Sequence, residues 1–587
     1  MSKKGTPPAE SDALLDPKKG THAGPGHHSD IDHLMSQEMA ADNIFRVYFP
    51  DEATGRKAAI TFHDQMLESH WKAGYVVMQL DAEDIAKLRA FNFRIERDAA
   101  FIAKRNDFLS RLRAAGTPNL LGGAAAQRAA SGDVSTQSIP GYACYETVEE
   151  TFTAAAGFTT TYPNLAEWKD VGDSWQKTQG LGGYDMKVLK LTNKSTTGPN
   201  GAAKPILFVN SAIHAREYTT AALTLAFARE LLQGYGSNAD ATWILDHHEV
   251  HLMLHTNPDG RKKAETGLLW RKNTNQNYCG ATSNSRGADL NRNFSFSWNS
   301  TGGSGSSGSA CAETYRGPSA GSEPETQAIE GYVRSLWPDR RGPAKTDAAP
   351  ADTSGIHLDI HSYSELVLWP WGDTKTVAPN GTALQTLGRK FAFFNGYLPE
   401  QSIGLYATDG TSDSVSYGEL GVAAFTFELG TSFFQSCTTY ESTIKPKNLP
   451  ALMYAAKVVR TPYQTPAGPE ITALKLNNKA ATVGVTAGTP VTINATAVDT
   501  RFSTRKGTEP SQAIAAGEFY VDTPPWMPGA TAQAMTPNDG SFNATTEVAK
   551  GTINTTGLSV GKHMVFVRGK DAAGNWGPVS ASFLIIK

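Results

Sequence analysis

The chain has 587 residues, and at about 150 residues per domain that means several folding units rather than one compact core. Lys plus Arg number 54 and Asp plus Glu 57, for a net charge of −3, and charged residues make up 19%. A near-neutral chain without a Lys/Arg block is a poor nucleic-acid binder, and no run of about 18 apolar residues is present to span a membrane.

Residues 1–43 are dominated by Pro, Gly, His and charge and are expected to form a disordered tail. His22, His27, His28 and His33 read as solvated rather than as a metal site. Lys3, Lys4, Lys18 and Lys19 occur there without an apolar h-region, so no ordinary secretory signal is visible. Residues 44–116 read as a small α/β unit. Phe45, Val47 and Phe49 alternate with Arg46 and Tyr48 as in a strand. A helix is expected over 58–69 and a second strand over 75–80. Asp81 then caps a helix over 82–91 with Ile85, Leu88 and Phe91 on one stripe, and a strand follows at Phe93 and Ile95. Residues 117–138, rich in Ala, Gly, Gln and Ser, read as an exposed linker open to proteolysis.

Residues 139–462 alternate strand-like and helix-like segments, the pattern of a mixed α/β sheet. Strands are expected at 206–210, 250–256, 355–360, 367–369 and 423–427, with a helix at 221–232 and a turn at 257–260. Residues 463–468 form a short hinge. Residues 469–587 are rich in Thr, Val, Ala and Gly and read as a β-sandwich of the Ig-like kind, with strand, turn and strand at 565–568, 571–575 and 581–586.

The four Cys allow two bridges or four buried thiols. Cys279 and Cys311 bracket the Gly/Ser run at 302–309, which a bridge would restrain. Cys144 and Cys437 would then pair by elimination. Two bridges imply an oxidising compartment.

His214 and Glu217 follow directly on the apolar strand at 206–210, and a His and Glu three apart can face one metal. A third ligand must come from another strand end, and His361, just past the strand at 355–360, is the candidate. His247, His248, Glu249, His251 and His255 form a denser cluster without HExxH spacing, and it reads as a packed or solvated strand face. A zinc hydrolase needs a carboxylate to take a proton from water. Glu428 closes an apolar strand, where a charge is costly unless it is used or paired. Arg271 and Arg292 lie in loops, where a guanidinium suits a carboxylate or a developing oxyanion.

Seven motifs carry a resemblance in order: HAREY (214–218), NPDG (257–260), LWRKN (269–273), GADLNRNF (287–294), CAETYRG (311–317), DIHSYS (359–364) and FTFELG (425–430). Together they resemble the zinc carboxypeptidases of the carboxypeptidase A/B type over roughly 140–460. The resemblance implies one Zn2+ per catalytic domain, held by His214, Glu217 and His361. It implies Glu428 as general base and then acid, and Arg271 as the oxyanion's partner. Asn291 and Arg292 would grip the substrate's terminal carboxylate under the hydroxyl of Tyr406. Arg216, Ser362 and Tyr363 would line subsites further along the peptide. The Cys279–Cys311 pairing also matches a family bridge. Counting back from Glu428 without gaps places Asp413 at the base of the terminal side-chain pocket, which implies a preference for C-terminal Lys or Arg. Tyr218, Gly430, Thr431 and Ser414 depart from the common pattern, and none is a metal ligand.

The substrate expected is a peptide or protein C-terminus. Residues 44–116 resemble an activation domain, released by a protease acting in the 117–138 linker, with a permanent folding aid as the alternative. The C-terminal sandwich would bind a surface or polymer, or only stabilise the enzyme. Other functional readings are a related zinc amidohydrolase acting on cell-wall peptides or N-acyl amino acids, and a non-catalytic binding protein on the same scaffold. The cysteines and the zymogen-like leader point to secretion, against the absence of a visible signal.

Overall fold

A computed structural model describes residues 25–62, 65–115, 138–480 and 482–587. Lys3, Lys4, Lys18, Lys19 and His22, and the expected linker apart from Ser138, lie outside the described residues. The first element corrects the reading of 1–43 as disordered throughout: Pro25–Ala40 is a helix, α1. Ile31, Leu34 and Met35 stand at i, i+3 and i+4, one face of a helical turn, and each is at most 1% exposed. His33, on another face, is exposed and bonds Gln37 at 2.7 Å.

The leader follows as β1 (Ile44–Tyr48), α2 (Glu52–Thr61), β2 (Met66–His70), β3 (Tyr75–Gln79), α3 (Ala82–Ala90), β4 (Arg94–Arg97) and α4 (Ala99–Ala115). Its sheet runs β2-β3-β1-β4, antiparallel throughout. Helix α2 starts earlier than expected because the Asp51 side chain accepts from Thr54 N at its first turn. Residues 66–69, expected to close that helix, lie instead in the edge strand β2. Asp81 caps α3 by accepting from Asp84 N. Phe91 lies past the helix and is 69% exposed, so it does not join the Leu88 stripe.

The largest sheet is built from β5 (Ala166–Asp173), β6 (Asp185–Leu191), β7 (Ile206–Ser211), β8 (Glu249–Met253), β9 (Ile356–His361), β10 (Leu366–Trp369), β11 (Leu398–Gln401) and β12 (Ala423–Glu428). The order is β11-β10-β12-β9-β7-β8-β6-β5. The central four strands, β12, β9, β7 and β8, are parallel, while β10 and β6 join them antiparallel. Every residue of β9 is buried, as a strand covered on both faces requires. Alternation along β7 sends Leu207 and Val209 into one apolar cluster and Phe208 into another. The first contains the helices α5 (Tyr218–Gly234), α6 (Gly381–Asn395) and α7 (Lys445–Val458), and the second contains α8 (Pro324–Leu336).

The segment 257–260 is not a free turn. Asn257 caps the short helix α9 (Pro258–Ala264), accepting from Gly260 N at 3.0 Å, and its amide donates to Lys272 O at 2.9 Å. That bond ties the loop carrying Arg271 to the end of the sheet. The histidine cluster is packed: His248 bonds Ala456 O, and His251 lies between Glu249 and Tyr332. Burial lowers the His247 pKa to about 4.

The described residues of 470–586 form nine strands whose inward residues, such as Val491, Ile493, Ala495 and Ala497, alternate with more exposed ones. The strand Gln533–Pro537 pairs first with Ile514–Val521 and then with Thr546–Ile553, passing from one layer to the other. This β-rich unit is docked on the body built around the largest sheet. Arg389 of α6 donates to the carbonyls of Ser503, Arg505 and Gly507, and Trp526 stacks against His248. Tyr463, in the expected hinge, is buried and donates to Gly421 O. Among the described residues no helix is long and apolar enough to cross a membrane.

Candidate active site

Three parallel strands deliver the site. His214 and Glu217 lie just beyond β7, with Glu217 at the first turn of α5; His361 ends β9; Glu428 ends β12 and stands opposite His361 in register. The C-terminal ends of parallel strands are where α/β sheets place their ligand crevices.

His214 Nδ1 lies 2.7 Å from Glu217 Oε1, and His361 Nδ1 lies 3.2 Å from both His214 Nδ1 and Glu217 Oε2. All three residues are buried, and they can hold one metal ion. The ring nitrogens on the far sides face carboxylates. His214 Nε2 is 3.0 Å from Asp289 Oδ1, and His361 Nε2 is 2.9 Å from Asp359 Oδ2. A carboxylate behind Nε2 places the ring proton there and leaves Nδ1 as a lone pair. Two lone pairs and a carboxylate then converge on one point, an arrangement that repels itself unless a cation is shared. Two nitrogens bound at about 2.05 Å with a tetrahedral angle would be about 3.3 Å apart, close to the separation here. The donor set of two His and one Glu is that of open catalytic zinc sites.

The supporting shell is continuous. Asp289 accepts from Arg271 Nε and NH2 at 3.1 and 2.8 Å, which fixes that guanidinium beside the site. Asp359 accepts from Asn210 Nδ2 at 2.8 Å and from the Ser412 hydroxyl. Glu217 Oε2 accepts from Ser362 N at 3.0 Å. Burial would raise the Glu217 pKa, but positive charge placed at His214 and His361, the charge a shared cation would supply, holds it below the usual carboxylate range. Glu428 differs: it is 6% exposed, and its Oε2 has no hydrogen-bond partner among the described residues. Burial, with Glu217 adding to it against His361 and Arg271, pushes its carboxyl up to about 8.

Of the other residues singled out in the sequence, Arg292 and Tyr406 come together, with Arg292 NH2 donating to Tyr406 OH at 3.2 Å. Arg292 Nε also donates to Gly305 O in the Gly/Ser run. A cavity of about 380 Å³ opens there, lined by Arg292, Tyr406, residues 303–307 and Thr61 of α2. Asn291 Nδ2 is 3.1 Å from His361 Nε2, and its Oδ1 accepts from Ser412 N. Asp413 follows Ser412, is 7% exposed, and has its pKa raised, mainly by burial. Ser362 and Tyr363 are buried beside His361. Arg216 bonds Glu313 at 3.2 Å and lies over the Phe433 ring. Tyr363 and Phe433 belong to the apolar cluster of the leader, so the leader covers this side of the site. Both bridges form, Cys144–Cys437 and Cys279–Cys311.

Asp289 and Asp359 were not singled out from the sequence, although each lies inside a quoted motif. Asp359 carried a signal: two residues before His361 on a strand, it shares that residue's face.

The profile of the zinc carboxypeptidase family matches residues 153–450, about half of the chain and all three of these strand ends. The chain belongs to the zinc carboxypeptidase family. A zinc carboxypeptidase of Saccharothrix mutabilis subsp. capreolus is 33% identical over 311 residues, covering 50% of this chain and 64% of that protein. Carboxypeptidase B of Astacus astacus is 33% identical over 279 residues, covering 46% and 81%. The match thus spans less than two thirds of the Saccharothrix protein. In fold, the chain is similar to the crystal structure of carboxypeptidase A from Helicoverpa armigera, with a TM-score of 0.51 at 18% identity over 70% of this chain and 96% of that one. Family membership implies Zn2+, and the donor set described above suits it.

Proposed function

We propose that the protein is a metallocarboxypeptidase that removes the last residue of peptides or proteins, with preference for Lys and Arg. The observation that carries this reading is the convergence of His214, Glu217 and His361 beside a buried Glu428 oxygen that has no hydrogen-bond partner among the described residues. Bound zinc supplies Lewis acidity that lowers the pKa of water and polarises a carbonyl. Glu428 takes the proton of the attacking water and returns it to the leaving amine, a task suited to a carboxyl whose pKa lies near neutrality. Arg271, fixed by Asp289, donates to the carbonyl oxygen as negative charge develops. Arg292 pairs with the substrate's terminal carboxylate, Asn291 adds an amide donor, and Tyr406 covers the carboxylate from the Arg292 side. Arg216, Ser362 and Tyr363 serve residues further from the end. Asp413 pairs with a basic side chain and penalises an apolar one by leaving its own charge unmatched.

The leader, seated on Tyr363 and Phe433 with Thr61 lining the Arg292 cavity, supports a role as a cover removed by cutting between 117 and 138. The two bridges support an extracellular setting. The test is a peptide library with free and amidated ends, read by mass spectrometry alongside zinc content. Loss of single residues from free ends only, with one zinc per chain, is the expected result. Cleavage of amidated ends would favour an amidohydrolase, and zinc-free, inactive protein would favour a binding scaffold.

A further inference from the structure

Helix α1 precedes the leader sheet and is joined to it by only residues 41–43, yet it packs on the catalytic body. Ile31, Leu34 and Met35 share one apolar cluster with Leu109 and Leu112 of α4 and with the catalytic core. Asp30 reaches across to two cations of the catalytic body, Lys263 Nζ at 2.7 Å and Arg286 NH2 at 3.0 Å. Both side chains are nearly inaccessible, 4% and 1% exposed. Asn284 Nδ2 donates to Leu34 O, and Asn284 N donates to Gln37 Oε1. On the leader side, Arg105 and Asn106 of α4 donate to the last carbonyls of α1 and the residue after it, Met39 O and Ala41 O. The helix is therefore held by the leader at its C-terminal end and by the catalytic body at Asp30.

In the docked state Asp30 is the counter-charge of two side chains that are 4% and 1% exposed, so neutralising Asp30 with α1 in place would leave buried cations unpaired. Unpairing buried charge is costly and acts mainly on dissociation rates. We propose that the face made by Lys263, Arg286 and Asn284 is a docking surface for α1, which acts as an intramolecular latch on the leader. A cut in the chain between α4 and Ser138 then leaves the leader bound, and release requires the Asp30 clamp to open.

The test places a specific protease sequence between residues 116 and 137 of the full chain, cuts it, and follows the two pieces by size exclusion and by dissociation of a labelled leader. Wild-type pieces co-elute. Asp30→Asn speeds dissociation by at least about tenfold, Lys263→Met does the same, and the double variant is little faster than either. Asp42→Asn, at an exposed acid 3.7 Å from Arg97 within the leader, has no effect. The proposal is overturned if the wild-type pieces separate at once, if Asp30→Asn matches wild type, or if the Asp30 and Lys263 effects multiply independently. The readout is binding, so it stands or falls apart from the catalytic reading.

Discussion

His214 and His361 turn their Nδ1 atoms toward each other across 3.2 Å, while their Nε2 atoms face Asp289 and Asp359. Each carboxylate sets a tautomer and a ring angle, and so aims a lone pair. Asp359→Asn is expected to weaken zinc binding by about 10- to 100-fold while leaving the fold intact. Competition with a chelator of known affinity measures this; unchanged affinity would remove Asp359 from the supporting role.

Glu428 contributes to no ligand set, so its replacement separates chemistry from metal binding. Glu428→Gln is expected to keep full zinc content and to lower turnover by about 10²- to 10⁴-fold. Metal analysis beside single-turnover rates decides it. A variant that loses its zinc would show that the carboxylate acts structurally.

These two cases mark what the sequence can reveal. His214, Glu217, His361 and Glu428 were legible because each sits at the end of an apolar run, where local pattern and position in the sheet coincide. Asp289 was silent because its meaning depends on His214, 75 residues away. Helix α1 was hidden by composition: three apolar residues in a polar stretch bury themselves only because α4 and the catalytic core offer a surface. Strand β2 was misread as helix for a similar reason. Met66 and Leu67 are neighbours rather than alternates, and both are buried. The Asn257 motif read as a turn, since its amide bond to Lys272 O lies across the fold.

Asp413 is the residue on which terminal-residue preference is expected to turn. A buried carboxylate favours a cationic side chain and is left unpaired by Phe or Leu. Asp413→Ala should lower kcat/KM for C-terminal Arg by about a hundredfold and leave C-terminal Phe unchanged or improved. Matched peptides differing only in the last residue give the answer. Equal losses on Arg and Phe would mean that Asp413 supports the Ser412 loop rather than reading the side chain.

Asp259 provides a pH signature away from the metal ligands. Its carboxylate is 1% exposed and accepts from Ser174 Oγ and Gln176 N, both at 2.8 Å. Burial outweighs those bonds and pushes its pKa up from 3.8 to about 6. Between these values the folded chain holds a proton that the unfolded chain has lost. Its contribution to stability is therefore fully present below the unfolded value and is lost as pH rises through about 6. A shift of about two units corresponds to roughly 3 kcal/mol. Asp259→Asn removes this titration, since the amide stays neutral throughout. Urea unfolding of both proteins at about pH 4 and pH 7 reads the effect, because groups that do not feel the Asp259 charge cancel in the difference; Glu325, whose pKa that charge helps to raise, adds a change of the same sign. Relative to wild type, the variant should gain stability on going from the lower pH to the higher. A difference that does not change with pH would show that Asp259 is ionised in the folded chain at both.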